Sequence, residues 1–177
     1  MAMPPPTLTA EPRADRPVRL ARDGTTVWLR PLRPGERDLV ARFFAGLSAE
    51  SRSRRFLQPM PRLSEATVRR LAAVDGSSHV AMVASVGEDC AGIARYIRLP
   101  DEPDVAEVAV TVTDRFQGRG IGRLLLDALR PAAARAGVVT LVYLVDPTNR
   151  PMVRLLRALG VELAFRDGLV EGRQPLA

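Results

Sequence analysis

Lysine is absent from this sequence, and cysteine and histidine occur once each. All 26 basic residues among the 177 positions are arginine. Because Cys90 stands alone, it has no partner for an internal disulfide, and the lone His79 cannot complete a Cys/His cluster that would hold structural zinc. These absences predict a protein without a metal site and argue against a Ser-His-Asp triad.

Long apolar runs are also missing. No uncharged stretch reaches membrane-spanning length. The N-terminus, with Pro4, Pro5 and Pro6 followed by polar residues, is unlike a signal peptide. We therefore expect a cytoplasmic protein that does not bind a membrane. A chain of 177 residues that is 46% hydrophobic fits one compact core. Residues 1–16 lack periodicity and are expected to be a disordered tail, which leaves one domain over residues 17–177.

The formal charge of +6 comes from arginine alone, with aromatic residues at only 5%. Guanidinium groups suit phosphates and carboxylates, so the candidate partners are nucleic acid, a phosphorylated cofactor and an acidic surface. The basic stretch Arg52, Arg54 and Arg55 lacks the interleaved aromatics of a groove that binds single-stranded nucleic acid. We do not expect nucleic acid, and a single arginine most often belongs to a solvated face.

Hydrophobic periodicity divides the first two thirds of the chain into a hairpin, three helices and three strands. The hairpin is centred on Asp23-Gly24. Helical spacing of apolar residues then predicts one helix within residues 33–47, and further helices that start at Ser48 and Ser64. The period changes to that of strands over residues 79–86, 92–98 and 105–113. Short turns join these strands, so they should pair antiparallel.

The last third of the chain predicts a strand, helix, strand crossover. A helix follows residue 120, and Pro131 should interrupt it because proline removes a main-chain donor. The apolar run over residues 138–145 is typical of a buried parallel strand. Residues 149–159 predict a final helix, and a small hairpin is expected around Asp167-Gly168. The whole pattern predicts an α/β (α+β) fold.

A glycine-rich loop joins the strand that ends near Val112 to the following helix. Gly118, Gly120 and Gly122 let the main chain turn sharply, so that unpaired N–H groups of the first helical turn can face a ligand. The positive end of the helix dipole favours a phosphate there. Arg119 can add a full charge, and so can Arg123. A turn that only joins two elements explains three alternate glycines less well.

The motif Gln117-x-x-Gly120-x-Gly122 resembles the acyl-CoA pyrophosphate loop of the GNAT superfamily of N-acyltransferases. The likeness covers about residues 18–166, since the strands and helices follow that family's order. It implies a GNAT-like mixed, mostly antiparallel central sheet flanked by helices, and acetyl-CoA as the acyl donor. Together, the loop and the resemblance assign the cofactor contacts to Ala109, Val110, Thr111, Val112, Gln117, Gly118, Arg119, Gly120, Ile121, Gly122, Arg123 and Asn149.

A closer likeness concerns the bacterial protein lysine acetyltransferases that act on acyl-CoA synthetases. The pieces that carry it are Leu29-Arg30-Pro31-Leu32, Ser48-Ala49-Glu50-Ser51, Arg55-Phe56, Ala106-Glu107-Val108-Ala109-Val110 and Asn149-Arg150-Pro151-Met152. This likeness implies a protein lysine as acceptor, with an acyl-CoA synthetase as one candidate. A polyamine, an antibiotic amine and a protein N-terminus stay open as acceptors. A monomer and a homodimer are both open.

Amine acylation needs a base, because a lysine ammonium has a pKa of about 10.4 and is mostly protonated at pH 7. Alternation along the strand puts Glu107, Ala109 and Thr111 on one face. Glu107 is the sole carboxylate in this apolar stretch, and partial burial is expected to raise its pKa. The residues alone leave a solvent-facing or arginine-paired Glu107 equally open. The resemblance implies that Glu107 is the catalytic glutamate, acting directly or through a water molecule.

Two further groups are needed for the chemistry. A strand N–H near Ala109 or Val110 is expected to polarise the thioester carbonyl. For the departing thiolate, the resemblance implies a tyrosine on the helix after Asn149, and this chain has none. Tyr143 is expected to be a core residue. Asn149 itself can be a helix N-cap, a ligand to the pantetheine arm, or both.

The missing tyrosine keeps a second function open, an acyl-CoA sensor that binds without efficient turnover. A dinucleotide-binding enzyme is the third alternative, with Asp146 holding a ribose. The dinucleotide fingerprint needs two residues between its second and third glycines, whereas Ile121 alone separates Gly120 from Gly122. The spacing disfavours that alternative.

Overall fold

An eight-stranded mixed sheet runs through the computed structural model, which describes residues 18–176. The strands are β1 Val18–Leu20, β2 Thr26–Pro31, β3 His79–Val86, β4 Asp89–Arg98, β5 Val105–Val112, β6 Thr140–Val145, β7 Glu162–Arg166 and β8 Leu169–Pro175. They lie in the order β1-β2-β3-β4-β5-β6-β8-β7, and all neighbouring pairs are antiparallel except β5 and β6. The predicted tail over residues 1–16 lies outside the described residues.

Five helices cover the sheet: α1 Arg37–Ala45, α2 Ala49–Phe56, α3 Glu65–Ala72, α4 Ile121–Arg135 and α5 Arg150–Ala158. The predicted starts at Ser48 and Ser64 are confirmed. Each serine hydroxyl accepts a hydrogen bond from the N–H three residues on, at 3.1 Å from Ser51 and 3.1 Å from Thr67. Within residues 18–176, no helix is both long and apolar enough to cross a membrane.

Two hydrophobic clusters lie on opposite faces of the sheet. On one face α4 buries Leu125, Leu126 and Leu129 completely. On the other face α1 and α3 cover the sheet, and Phe43 and Phe44 belong to the hydrophobic cluster there. Each fully buried apolar side chain stabilises the fold by roughly 1.5–3 kcal/mol. This double cover explains why the central strands are apolar at nearly every position.

The predicted interruption of α4 at Pro131 is wrong. The helix continues through Pro131 to Arg135. The proline ring can displace only the hydrogen bond to the carbonyl four residues back, on Asp127, and both residues are exposed. The three buried leucines hold the helix on the sheet and outweigh the loss of one bond.

The C-terminal hairpin is longer than predicted. The sequence predicted only a small hairpin around Asp167-Gly168, whereas β8 extends to Pro175 and inserts between β6 and β7. The polar stretch before Pro175 hid the strand, because it lacks apolar alternation. Gln174 is nevertheless buried, and its amide oxygen accepts a hydrogen bond from the Tyr143 hydroxyl at 2.9 Å. A buried polar pair thus fixes this part of the sheet.

The two parallel strands separate after four residue pairs. Pairing of β5 with β6 ends where Val108 lies opposite Tyr143. Beyond that point β5 continues to Val112 along β4, and β6 continues to Val145 along β8. A gap therefore opens between the carboxyl ends of β5 and β6, next to the glycine loop.

Candidate active site

A cavity of about 600 Å³ lies at this gap, within the usual size range of small-molecule sites. Its lining comes from the β1–β2 turn, α2, the end of β5, the glycine loop and α5. The lining residues are Arg22, Ser51, Arg54, Arg55, Val110, Thr111, Val112, Phe116, Gln117, Gly118, Gly120, Ile121, Gly122, Arg123, Asn149, Pro151, Met152, Arg154, Leu155 and Ala158. They include five arginines and no aspartate or glutamate, so the cavity suits an anion.

The main chain of Val110 faces this gap. The Thr113 N–H donates to the Ala91 carbonyl, and the Leu99 N–H to that of Val105, so odd-numbered residues of β5 direct their N–H groups to β4. Val110 is even-numbered and points the other way, where β6 has already diverged. Of the two positions predicted to carry a free donor, the geometry therefore favours Val110 over Ala109, which is paired with β4 opposite Arg95.

The glycine loop has the backbone that the sequence predicts for it. Gly118 and Gly120 adopt φ values of +77° and +87°, in the left-handed region that side chains with a Cβ rarely occupy. Gly120 is the N-cap of α4, and its carbonyl accepts from the Leu124 N–H. The N–H groups before Arg123 have no partner inside the helix. Gly120, Ile121 and Gly122 line the cavity, which puts the positive end of α4 at its wall.

The side chain of Gln117 braces the loop. Its amide nitrogen donates to the Val112 carbonyl at 3.0 Å and to the Ser51 hydroxyl at 3.1 Å. Gln117 lines the cavity as predicted, but these two bonds occupy its amide nitrogen. The brace joins the end of β5, the loop and α2 into one unit.

Sequence reasoning missed the partner of this brace, Asp114. Its carboxylate accepts hydrogen bonds from the Ser48 N–H and hydroxyl and from the Ser51 hydroxyl, at 2.7–3.0 Å. Burial acts to raise the pKa of Asp114, but these hydrogen bonds outweigh it and hold the pKa below its usual value. The only sequence signal was the Ser48-x-x-Ser51 cap, which says nothing about a partner 63 residues away from Ser51.

The cavity arginines differ from those predicted. Arg123 lines the cavity, whereas the Arg119 guanidinium lies 3.3 Å from the Asp23 carboxylate and outside the lining. Four other arginines that line the cavity were not predicted as site residues: Arg22, Arg54, Arg55 and Arg154. Nothing local marks them, because they come from three separate elements and meet only in the folded chain.

Glu107 is exposed, which agrees with the solvent-facing alternative and not with partial burial of its carboxylate. It lies on β5 opposite Ile97, on the face covered by α1, α2 and α3. Burial lowers the pKa of Arg55 to about 10, and the negative charge of Glu107 opposes that shift. Glu107 is therefore close enough to interact electrostatically with a guanidinium of the cavity wall, although it is not itself a lining residue.

A buried basic pair lies behind this wall. Arg95 is 2% exposed and donates to the Leu71 carbonyl and to His79 Nε2, at 2.6 and 3.1 Å. Burial and then the charge of Arg95 lower the pKa of His79 to about 4, so the imidazole is neutral near pH 7 and can accept this bond. The pair attaches the end of α3 to β4, which gives His79 a structural role.

Asn149 and Tyr143 have the structural roles expected of them. The Asn149 side-chain oxygen caps α5 by accepting from the Met152 N–H at 3.3 Å, and Asn149 also lines the cavity. Tyr143 is fully buried, and burial raises its pKa to about 12. The cavity face of α5 carries Met152 and Leu155 in place of a tyrosine. Thr111 lines the cavity with a buried hydroxyl that has no hydrogen-bond partner among the described residues.

Comparison with known proteins identifies the family to which this fold and cavity belong. The model of the acetyltransferase (GNAT) family matches residues 43–161, so this chain belongs to that family. Both the fold and the family resemblance that the sequence predicts are confirmed.

Two curated relatives are acetyltransferases. Acetyltransferase PA5475 of Pseudomonas aeruginosa is 35% identical over 142 residues, covering 78% of this chain and 76% of the relative. Acetyltransferase Pat of Mycolicibacterium smegmatis is 34% identical over 153 residues, covering 85% of this chain and 45% of Pat. The chain thus spans less than half the length of Pat.

Solved structures show the same relationship. The GNAT domain of S. lividans PAT has a TM-score of 0.85 at 30% identity, covering 94% of this chain and 100% of that domain. A cAMP-binding acyltransferase from Mycobacterium smegmatis has a TM-score of 0.65 at 29% identity, covering 92% of this chain and 47% of the larger protein.

Proposed function

We propose that this chain transfers an acetyl group from acetyl-CoA to a primary amine, and that the amine is the side chain of a protein lysine. The observation that carries the proposal is that two sets of main-chain N–H groups face one cavity. The glycine loop presents the N–H groups of a helix start, and the end of β5 presents the N–H of Val110. An acyl donor with phosphates at one end and a thioester at the other can accept hydrogen bonds from both sets.

Different cavity residues bind different parts of acetyl-CoA. Gly118, Gly120 and Gly122 bring the main chain close to the pyrophosphate, and Arg123 adds charge. The β5 edge from Val110 to Val112 hydrogen-bonds the pantetheine arm, and Asn149 contacts it from α5. Acetyl-CoA supplies an acetyl group that is already activated as a thioester. The Val110 N–H donates to the thioester oxygen, which gains negative charge during attack.

Glu107 is the proposed base. The acceptor ammonium must lose a proton before its nitrogen can attack, and Glu107 accepts that proton through a water molecule. Its exposure supports the water-mediated path, since solvent reaches the carboxylate directly. The neutral nitrogen then bonds to the acetyl carbon and gives up its second proton to solvent as the carbon–sulfur bond breaks. The departing sulfur takes a proton from solvent, because α5 offers no tyrosine at the cavity.

Two observations bear on the acceptor and on the alternative function. The resemblance to bacterial protein lysine acetyltransferases favours a lysine over a polyamine or an antibiotic amine, and their known targets make an acyl-CoA synthetase the first candidate. The missing tyrosine favours instead an acyl-CoA sensor that binds without efficient turnover. Because a sensor would still bind the donor, binding alone does not separate the two functions.

Thiol release separates them. Purified protein is incubated with acetyl-CoA and a candidate acceptor, and free CoA thiol is followed over time. An enzyme releases thiol in proportion to acceptor, whereas a sensor shifts only its melting temperature, because ligand binding stabilises the folded state. Labelled acetyl-CoA with a cell lysate then identifies the acceptor. Stabilisation by NAD with none by CoA would overturn the proposal.

A further inference from the structure

The turn between β1 and β2 is attached to the glycine loop. The Arg22 N–H donates to the Arg119 carbonyl at 2.9 Å, and Asp23 forms an ion pair with the Arg119 guanidinium at 3.3 Å. A Cβ placed on Gly120 would approach the Cγ of Arg22 to 3.1 Å. The turn therefore packs against the loop itself, although it precedes the segment matched by the family model, residues 43–161.

The two arginines at this junction have different surroundings. Arg119 belongs to the loop, but its charge is paired with Asp23. Arg22 belongs to the turn, yet its side chain lines the cavity and forms no hydrogen bond or salt bridge with another described residue. Two of the other lining arginines are compensated, since Arg54 pairs with Glu50 and Arg123 with Asp127. Arg22 thus brings an uncompensated guanidinium to the end of the cavity where α4 begins.

We propose that Arg22 binds a phosphate group of the acyl donor and makes the enzyme selective for phosphorylated donors. A guanidinium donates strong, charge-assisted hydrogen bonds to phosphate oxygens. The stem of Arg22 lies on Gly120, and its Nε would be 3.6 Å from a Cβ placed there, so the guanidinium is close to the start of α4. This proposal rests on the proposed function, because it takes acyl-CoA as the donor.

Acyl-CoA offers two candidates for the phosphate that Arg22 binds, the pyrophosphate and the 3′-phosphate. Calorimetric titration of wild type and Arg22→Gln with CoA, dephospho-CoA and pantetheine distinguishes them. We expect Arg22→Gln to lose about 10- to 100-fold in affinity for CoA, the range for a lost hydrogen bond to a charged group. Affinity for pantetheine, which has no phosphate, should not change. A loss that persists with dephospho-CoA identifies the pyrophosphate, and a loss that disappears identifies the 3′-phosphate.

Arg19→Gln is the matched control. Arg19 lies on β1 of the same hairpin, is exposed, and donates only to the carbonyl of its neighbour Val18. The substitution removes the same charge outside the cavity, so CoA affinity should stay within about twofold. Melting temperatures of both variants report whether the hairpin stays folded, and Arg22→Lys, which keeps the charge, should recover part of the affinity.

Each failure has its own signature. If wild type binds CoA and Arg22→Gln binds it equally well, the role of Arg22 is wrong while the proposed function stands. Equal losses in Arg19→Gln and Arg22→Gln would mean a diffuse charge effect and would also overturn it. If wild type binds no CoA at all, the proposed function itself fails.

Discussion

The loop side of the cavity uses main-chain groups, whereas the α2 side uses side chains. By the loop side we mean residues 114–123, and by the α2 side Arg55, Thr111 and the nearby Glu107. On the loop side, Gln117 and Asp114 fix the backbone through a chain of hydrogen bonds. On the α2 side, Glu107 is exposed and the Thr111 hydroxyl has no partner within the described chain. The loop side is therefore fixed before any ligand binds, and under the proposed function the acceptor completes the α2 side.

The largest effect is expected from Gly120→Glu on the loop side. A carboxylate there repels the donor's phosphates, and its Cβ meets the Arg22 stem. We expect CoA binding to fall by more than about 100-fold in calorimetry. Gly168→Glu is the matched control, because Gly168 has a similar φ of +80° but lies in the β7–β8 turn with open space around it. The Gly168→Glu variant should have similar backbone strain, but its affinity for CoA should not change. Unchanged affinity in Gly120→Glu would remove the loop from the site.

On the α2 side, Glu107→Gln should separate chemistry from binding. Loss of a general base lowers turnover by about 100-fold or more. CoA affinity should not change, because Glu107 does not line the cavity. The control is Glu102→Gln, in the loop before β5, which should keep full turnover. Comparable turnover by Glu107→Gln and wild type between pH 6 and 9 would show that another group or bulk water removes the proton.

A smaller effect is expected from Thr111→Val, which tests whether the α2 side is built for binding more than for stability. Removing a buried hydroxyl that has no partner among residues 18–176 should raise the free energy of unfolding by roughly 1 kcal/mol, measured by chemical denaturation. Thr113→Val provides the contrast, because the Thr113 hydroxyl donates to the Ala91 carbonyl at 3.2 Å and its loss should not stabilise. If Thr111→Val destabilises the protein, its hydroxyl has a structural role that the contacts do not reveal.

The smallest change is expected in the protein's own covalent mass. With no lysine among its 177 residues, the chain offers no side chain that a lysine-directed enzyme would acetylate. The N-terminal amine, with a pKa of about 7.7–8.0, is the remaining self-acceptor. After prolonged incubation with acetyl-CoA, intact-mass analysis of tag-free protein should show at most one amide-linked acetyl group. Several such groups on internal residues would contradict the lysine-directed mechanism.

Local patterns predicted the loop side well and the α2 side poorly. The glycine motif, the helix behind it and the Asn149 cap are each contained in one short stretch, and their geometry is set by backbone preferences. The partnership of Asp114 with Ser48 joins residues 66 positions apart, and no short-range rule predicts it. The sequence left the exposure of Glu107 undecided for a related reason, because burial depends on how the helices cover β5. Pro131 shows that packing can override a local preference.

The sequence by itself determined the fold class, the strand and helix order and the glycine loop at the start of α4, because hydrophobic period and the conformational freedom of glycine act over a few neighbouring residues. The tertiary structure decided where β5 leaves β6 and which arginines face the cavity. It turned Arg119 towards Asp23 and brought Arg22 across from a hairpin almost 100 residues earlier in the chain. Charge placement of this kind depends on contacts between distant elements, so it exists only once the chain has folded.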